Sequence, residues 1–201
     1  IIKEENWNQA CKDFFQPVII NNEVRILPAW GNKDNDKLNI VINPALAFGT
    51  GHHETTYMMI ESMLHYNFKD KRVFDIGTGS GILSILSKKL GAKSIYAIDN
   101  DILTHNNFHE NLVLNNINDI NFEIKDCFDI ENFKYDFILA NINLNILINL
   151  LPRVESTGTI LIISGILKSD ERVLTKMFRD SNKIIKNIYR KNEWLCFVVE
   201  L

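Results

Sequence analysis

Residues 73–81 read Val-Phe-Asp-Ile-Gly-Thr-Gly-Ser-Gly, and this stretch is the strongest indication of the fold class. An apolar segment runs into Asp75, and three glycines follow at alternate positions. A dinucleotide-binding loop spaces its glycines as G-x-G-x-x-G, which places a pyrophosphate on a helix N-terminus. Here the third glycine, Gly81, comes one residue earlier, and an acid precedes the first glycine. The stretch predicts a strand, a tight turn and a helix at a nucleotide-type cofactor site.

The variant spacing suits a ligand without phosphates. Gly77 and Gly79 carry no Cβ, so the backbone can approach a ligand closely, while the carboxylate of Asp75 would attract a positively charged group. S-adenosylmethionine (SAM), with its sulfonium and amino group, fits that description. A glycine-rich turn can also be purely structural, so a cofactor site is inferred only if the neighbouring segments support it.

A second predicted strand, 94–98, ends at Asp99, eighteen residues after Gly81. An acid at this position can accept hydrogen bonds from both ribose hydroxyls of a nucleoside. We therefore expect Asp99 to bind the ribose. The alternative is that Asp99 or Asp101 only caps the helix that follows.

Alternating strands and helices after residue 50 predict a mostly parallel sheet with helices on both faces. The predicted strands are 72–76, 94–98, 121–125, 135–141 and 158–164, and the predicted helices are 80–90, 102–115, 143–151 and 168–180. Segments 183–190 and 194–201 follow each other across a short turn, so we expect a C-terminal antiparallel hairpin. The predicted fold class is α/β, with a seven-stranded sheet.

The first fifty residues have a different pattern. We interpret residues 1–50 as a linker helix and N-terminal extension, and 51–201 as the domain that holds the cofactor loop. The extension contains an amphipathic helix around 4–15 and extended pieces at 24–27 and 38–42. The chain begins at Ile1 rather than Met, so we expect either a processed protein or, in preference, a piece of a longer one.

Composition excludes several classes of protein. The net charge is −3, so the chain as a whole lacks the charge of a polyanion-binding protein, although a local basic patch would escape this test. The three cysteines form no C-x-x-C pair, which argues against a metal site or a disulfide framework. No apolar run approaches the length of a membrane span, and no secretion signal is visible. We expect a cytoplasmic monomer that does not bind nucleic acid or membranes.

The second informative stretch is Asn43-Pro-Ala-Leu-Ala-Phe-Gly-Thr-Gly-His-His-Glu-Thr-Thr56, a loop that runs into a helix. Thr50 can cap this helix, and Glu54 in the first turn complements the helix dipole. Successive residues on a helix do not face each other, so His52 and His53 make a poor metal pair. We expect no metal, and one histidine, His53, facing the cofactor.

Four motifs resemble those of the bacterial methyltransferases of large-subunit ribosomal protein eleven, the PrmA family. They are Ala47-Phe-Gly-Thr-Gly-His-His-Glu-Thr-Thr56, Asp75-Ile-Gly-Thr-Gly-Ser-Gly-Ile-Leu83, Ala140-Asn-Ile142 and Ser164-Gly-Ile-Leu167. The resemblance covers essentially the whole chain. The first motif is rare outside this family, whereas the second is shared by many SAM enzymes.

The resemblance implies a class I, Rossmann-like, SAM-dependent methyltransferase that modifies lysine and α-amino nitrogens of that ribosomal protein. By position it implies cofactor contacts from Thr56, Gly77, Asp99 and Asn141. The chain departs from the family in two respects. The small domain that grips the ribosomal protein is not found ahead of the linker helix, and Asn143 stands where we expect leucine or another apolar residue.

Asn141 is the predicted catalytic residue. It ends the fourth predicted strand, at the mouth of the sheet where open α/β folds bind ligands, and its oxygen could orient the substrate amine. The alternative is a polar strand end that caps the following helix. Asp126, after the third strand, is a candidate for the adenine or simply a loop acid. Trp194 either walls the substrate pocket or packs against the sheet.

Two other functional classes stay open from the sequence. A SAM enzyme acting on a small molecule or on a different protein would also show the glycine loop and Asp99. A nicotinamide-dependent oxidoreductase or a non-catalytic nucleotide-binding module is disfavoured by the glycine spacing.

Overall fold

The computed structural model describes residues 15–43 and 51–201. The predicted amphipathic helix around 4–15, apart from its last residue, and the predicted helix cap Thr50 lie outside these residues. The described part of the extension forms a three-stranded sheet of β1 (Val18–Ile20), β2 (Val24–Leu27) and β3 (Leu38–Val41). Strand β1 pairs antiparallel with β2, and β2 pairs parallel with β3.

The predicted seven-stranded sheet with its C-terminal hairpin is confirmed. Its strands are β4 (Arg72–Ile76), β5 (Ser94–Asp99), β6 (Asn121–Ile124), β7 (Phe137–Asn141), β8 (Ile160–Leu167), β9 (Ile184–Lys191) and β10 (Trp194–Glu200). They lie in the order β6-β5-β4-β7-β8-β10-β9. The pairs from β6 to β8 are parallel, whereas β10 runs antiparallel to both β8 and β9.

Five helices accompany the sheet in the described residues: α1 (Glu54–Met63), α2 (Ile82–Lys89), α3 (Thr104–Leu114), α4 (Leu144–Leu150) and α5 (Glu171–Asp180). Short 3₁₀ turns occupy Cys127–Asp129, Leu151–Arg153 and Lys168–Asp170. No helix of the described residues is long and apolar enough to cross a membrane.

Helices on both faces explain the composition of the central strands. Phe74 and Val73 on neighbouring positions of β4 are both fully buried, although their side chains point to opposite faces. The core is accordingly split into two clusters, one on each side of the sheet. The first contains residues of α1, α2 and the small N-terminal sheet, so the described part of the extension packs into the same core as the large sheet.

The topology fixes where a ligand can bind. From β4 the chain proceeds outward to β5 and β6, then returns to place β7 on the other side of β4. The order of strands therefore reverses between β4 and β7, and the loops at their carboxyl ends diverge. In open α/β sheets the crevice at such a reversal is the ligand site.

Candidate active site

The glycine turn follows β4 at this crevice. Gly77, Gly79 and Gly81 all have positive φ angles, of 68°, 54° and 82°. The backbone N–H groups of Gly77 and Thr78 both donate to the carbonyl of Ile98, at 2.9 and 3.0 Å, which ties the turn to the neighbouring strand. Gly81 is the N-cap of α2. The turn is thus held in a shape that residues with a side chain rarely adopt.

Asp99, the predicted ribose ligand, ends β5 beside this turn and is 8% exposed. Its Oδ2 accepts the backbone N–H of Gly79 at 2.9 Å, and its Oδ1 accepts the N–H of Asp101 at 3.0 Å. The two hydrogen bonds fix the carboxylate, and each oxygen retains acceptor capacity for a further donor. Asp99 does not cap α3, whose N-cap is Leu103.

Asp75 lies beneath the turn rather than at its surface. Its side chain is fully buried, and its Oδ2 accepts hydrogen bonds from the hydroxyls of Thr78 and Ser84, both at 2.6 Å. Burial raises the pKa of Asp75 from 3.8 to about 6, against the lowering effect of these two hydroxyls. In this structure the carboxyl group connects the glycine turn to α2, and its other oxygen, Oδ1, is buried with no partner among the described residues.

Asn141, the predicted catalytic residue, ends β7 at the same edge of the sheet. Its Nδ2 donates to Oγ1 of Thr56 at 3.3 Å, and Thr56 is itself fully buried in α1. The Oδ1 atom of Asn141 is buried and has no partner among the described residues. The capping alternative for Asn141 is not realised, because Asn143 caps α4 by accepting the N–H of Ile146 at 3.2 Å.

Ile142 fixes the position of this loop. A Cβ on Gly77 would lie 2.4 Å from the Ile142 side chain, and a Cβ on Gly165 would lie 2.2 Å from its carbonyl oxygen. Both glycines have positive φ. The residue after Asn141 is therefore clamped between the cofactor turn and the end of β8, which explains the glycine in the Ser164-Gly-Ile-Leu167 motif.

A small cavity of about 70 Å³ opens beside Asp99. Its wall combines apolar side chains with polar ones: Ile76, Ile98, Phe128, Ile142 and Ile146 face Asp99, Asn100, Lys125 and Asp126. Asp126 also accepts the backbone N–H of Phe128 at 2.9 Å and so orders the wall. Burial, with Asp126 alongside, raises the pKa of Cys127 to about 11, so this cysteine is a neutral lining group and not a thiolate nucleophile.

His53 is the N-cap of α1, whereas the sequence predicted Thr50 as the capping residue. Its Nδ1 accepts the backbone N–H of Thr55 at 3.3 Å. Its ring meets the ring of Trp194 edge-on, with centroids 5.0 Å apart. Trp194 is half-buried and packs against the first core cluster, as the packing alternative predicted.

The structure brings most predicted site residues to one edge of the sheet: Gly77, Gly79, Asp99, Asp126, Asn141 and, from α1, His53 and Thr56. The sequence analysis assigned no function to Ile142, Phe128 or Gly165, although Ile142 and Gly165 lie in quoted motifs. The only available signal for Phe128 was its position two residues after Asp126. A larger concavity of about 870 Å³ lies at the opposite edge, around Arg72 and Asp136, but that edge holds the amino ends of the strands, where this fold class does not bind ligands.

These residues fit SAM. The cavity offers an apolar slot next to a fixed carboxylate that can accept ribose hydroxyls. The positive φ angles of the glycine turn fix its backbone beside this carboxylate. Asn141 holds an unpartnered acceptor at the same edge. A nucleoside bearing a cationic tail matches this set of groups better than a diphosphate does.

Comparison with known proteins agrees with this chemistry. The model of the family described as Ribosomal protein L11 methyltransferase (PrmA) matches residues 1–201. Two proteins named ribosomal protein L11 methyltransferase are similar over nearly the whole chain. The one from Prochlorococcus marinus is 36% identical over 213 residues, covering 100% of this chain and 70% of its own length. The one from Chlorobaculum parvum is 38% identical over 207 residues, covering 98% and 71%.

A solved structure shares the fold closely. The crystal structure of ribosomal protein L11 methylase from Lactobacillus delbrueckii subsp. bulgaricus superposes with a TM-score of 0.85 at 29% identity, covering 92% of this chain and 98% of that one. The family match over the full length and the identities above 30% leave one assignment: the chain belongs to the ribosomal protein L11 methyltransferase (PrmA) family.

Proposed function

We propose that this protein transfers methyl groups from SAM to lysine side-chain and α-amino nitrogens of ribosomal protein L11. The family supports SAM-dependent methylation and the ribosomal protein as substrate. One observation supports the chemistry most directly. Oδ1 of Asn141, at the carboxyl edge of the sheet, is buried and has no hydrogen-bond partner among the described residues. We also propose that residues 1–50 act as linker and extension to the domain at 51–201.

We infer that Gly77, Gly79, Asp99 and Asp126 contact the cofactor directly. When bound, SAM supplies a methyl group activated by attachment to a sulfonium. Asp99 is preset for the ribose by its two backbone hydrogen bonds, and Asp126 lies on the wall beside the apolar slot. Thr56 and Asp75 are fully buried, so we assign them to positioning Asn141 and the glycine turn.

The remaining chemistry is positioning of the nucleophile. Holding two reactants in the right geometry removes much of the barrier to a displacement, so no strong base is required. A lysine ammonium has a pKa of about 10.4 in water and must lose a proton to expose its lone pair. Oδ1 of Asn141 can accept one N–H of the neutral amine, which leaves the lone pair of that nitrogen free. The hydrogen bond to Thr56 occupies the donor end of the amide, which supports a role for this oxygen as the acceptor for the amine.

The test is methyl transfer from isotopically labelled SAM to purified ribosomal protein L11, with mass spectrometry to locate the modified nitrogens. We expect label on L11 with the parent chain and a loss of about a hundredfold in rate with Asn141→Ala. The matched control is Asn149→Ala, because Asn149 is exposed on α4 and its side chain bonds only to the carbonyl of Asn145. SAM binding without any label on L11 would reject the substrate and leave the cofactor assignment intact.

A further inference from the structure

The charges of this chain are unevenly distributed. Residues 168–191 hold eight of the 22 Lys and Arg residues but only three of the 25 Asp and Glu residues. The net charge of −3 therefore conceals a basic segment that covers α5 and the edge strand β9. This segment is a local basic patch of the kind that the composition of the whole chain does not reveal.

Four of these cations line one shallow groove of about 620 Å³ along α5, which we name the α5 groove. Its cations are Lys168, Arg172, Lys176 and Arg179, and its other lining residues are Ser169, Glu171, Thr175 and Asp180. All four cations are exposed. The spacing of four and three residues places Arg172, Lys176 and Arg179 along one face of α5, and Lys168 lies in the 3₁₀ turn that precedes the helix.

The acids of the α5 groove neutralise only one of these four cations, Lys176. Glu171 pairs with Arg190 of β9, and Asp180 pairs with Lys176. Within the part of the chain that the structure describes, Lys168, Arg172 and Arg179 then have no ion-pair partner. Like charges three or four residues apart on a helix repel each other, so this arrangement does not help the fold.

The groove also presents hydroxyl groups. Among the described residues, the side chains of Ser169 and Thr175 make no hydrogen bond, and both lie between the unpaired cations. Hydroxyls that can give and accept hydrogen bonds suit the 2′-OH of ribose, the group by which proteins distinguish RNA from DNA. From Arg172 to Arg179 the helix rises about 10 Å, at about 1.5 Å per residue, so the cations at its two ends can reach different phosphates of one strand.

The position of the α5 groove relates it to the active site. Lys168 directly follows Leu167, the last residue of β8, at the same edge of the sheet as Asn141. The groove therefore starts at the edge that carries the crevice and runs away from it along α5. A polymer lying in it would not occupy the cofactor cavity, whose lining residues are all different.

We propose that the α5 groove binds the phosphodiester backbone of single-stranded RNA. Lys168, Arg172 and Arg179 contact successive phosphates, and the hydroxyls of Ser169 and Thr175 contact ribose. This surface is separate from the methyl-transfer site, and binding at it is electrostatic and weakly dependent on base sequence.

The experiment measures fluorescence anisotropy of a labelled, mixed-sequence RNA of about 20 nucleotides over a salt series from about 50 to 200 mM. The test variant is Lys168→Gln/Arg172→Gln/Arg179→Gln. Its matched control is Lys33→Gln/Lys69→Gln/Lys93→Gln, which removes the same charge from three exposed lysines without ion-pair partners among the described residues. Circular dichroism and SAM binding confirm that each variant is folded with an intact cofactor site.

We expect the parent and control to bind RNA alike, and the test variant to bind at least about tenfold more weakly at low salt. The slope of log K against log salt should fall by about 2, because each single-strand phosphate contact contributes about 0.7. Absence of RNA binding by the parent, or equal losses in test and control variants, would overturn the proposal. Equally tight binding to single-stranded DNA, or to vesicles of phosphatidylglycerol, would also overturn it in favour of an unspecific anion surface.

Discussion

Asn141 and Thr56 are 85 residues apart in sequence, yet the Nδ2 of Asn141 donates a hydrogen bond to Thr56 Oγ1 at 3.3 Å. Thr56 lies in α1 and is fully buried, whereas Asn141 ends β7. The contact uses the donor end of the Asn141 amide and leaves its Oδ1 without a partner among the described residues. Helix α1, which precedes the glycine turn in sequence, thereby determines which atom of the Asn141 amide is left without a partner.

Replacing Thr56 with valine should impair catalysis without abolishing cofactor binding. Valine has nearly the same shape but cannot accept the Nδ2 hydrogen bond, so the Asn141 amide loses its orientation. We expect kcat to fall by about tenfold, which corresponds to the loss of one hydrogen bond of about 1.4 kcal/mol. Steady-state kinetics would check this, with calorimetry of SAM as a second readout. Thr56→Ser restores the hydroxyl and should recover most of kcat; equal defects in both variants would assign Thr56 to packing alone.

The contact between Gly165 and Ile142 predicts a large difference between two glycine substitutions. Gly165→Ala adds a Cβ 2.2 Å from the Ile142 carbonyl oxygen, whereas Gly158→Ala adds one with nothing within 4 Å. Both glycines have positive φ, of 86° and 76°, so the backbone strain is matched. We expect a loss of about 1 kcal/mol in the free energy of unfolding for Gly158→Ala and of about 3 kcal/mol or more for Gly165→Ala. Chemical denaturation measures both values, and similar losses would contradict the clamp on Ile142.

Asp75 should make stability depend on pH. Its pKa is raised from 3.8 to about 6 by burial, so the folded state favours the protonated carboxyl. The stabilisation is therefore fully present below pH 4 and is lost as pH rises through about 6. Relative to Asp75→Asn, which cannot titrate there, the parent should lose about 2 kcal/mol of unfolding free energy between about pH 4 and pH 7. Urea denaturation of both proteins across this range gives the difference, and a flat difference curve would refute the raised pKa.

Asn143 should stabilise α4 as its cap. Its side chain accepts the N–H of Ile146, an interaction that leucine, the residue expected here from the family resemblance, cannot make. Asn143→Leu should therefore lower the free energy of unfolding by about 1 kcal/mol. Asn143→Ser retains a capping oxygen and should be near neutral. If the leucine variant were as stable as the parent, the cap would contribute nothing measurable to the fold.

The large sheet was predictable because its signals are local. Strand β4 has the predicted bounds of 72–76, since an apolar run followed by a glycine turn is compatible with few other local structures. The terminal hairpin was also visible, and the structure narrows its turn to Asn192 and Glu193, with Asn192 at a φ of 48°. Strand β8 extends three residues beyond its predicted end because antiparallel pairing with β10 continues to Leu167.

The parts that were not predicted depend on contacts between distant segments. Strand β1 and the parallel pairing of β2 with β3 form a separate small sheet, which no periodicity in residues 18–41 indicates. The functions of Thr78 and Ser84 as donors to Asp75, and of Gly165 as the neighbour of Ile142, arise only when the strands are adjacent. Polar and glycine residues of the site could be recognised in the sequence by residue type. The steric contact between Gly165 and Ile142 could not be recognised, because it forms only in the folded chain.

Calorimetric titration of SAM into the parent chain, Asp99→Ala and Asp101→Ala tests whether the crevice beside Asp99 binds the cofactor. Asp99 lies on the cavity wall with both oxygens preset by backbone hydrogen bonds, whereas Asp101 is an exposed acid two residues away. We expect micromolar binding by the parent, a loss of about a hundredfold in Asp99→Ala, and little change in Asp101→Ala. Binding that survives in Asp99→Ala, or a folded parent that does not bind SAM, would contradict the assignment of this crevice as the cofactor site.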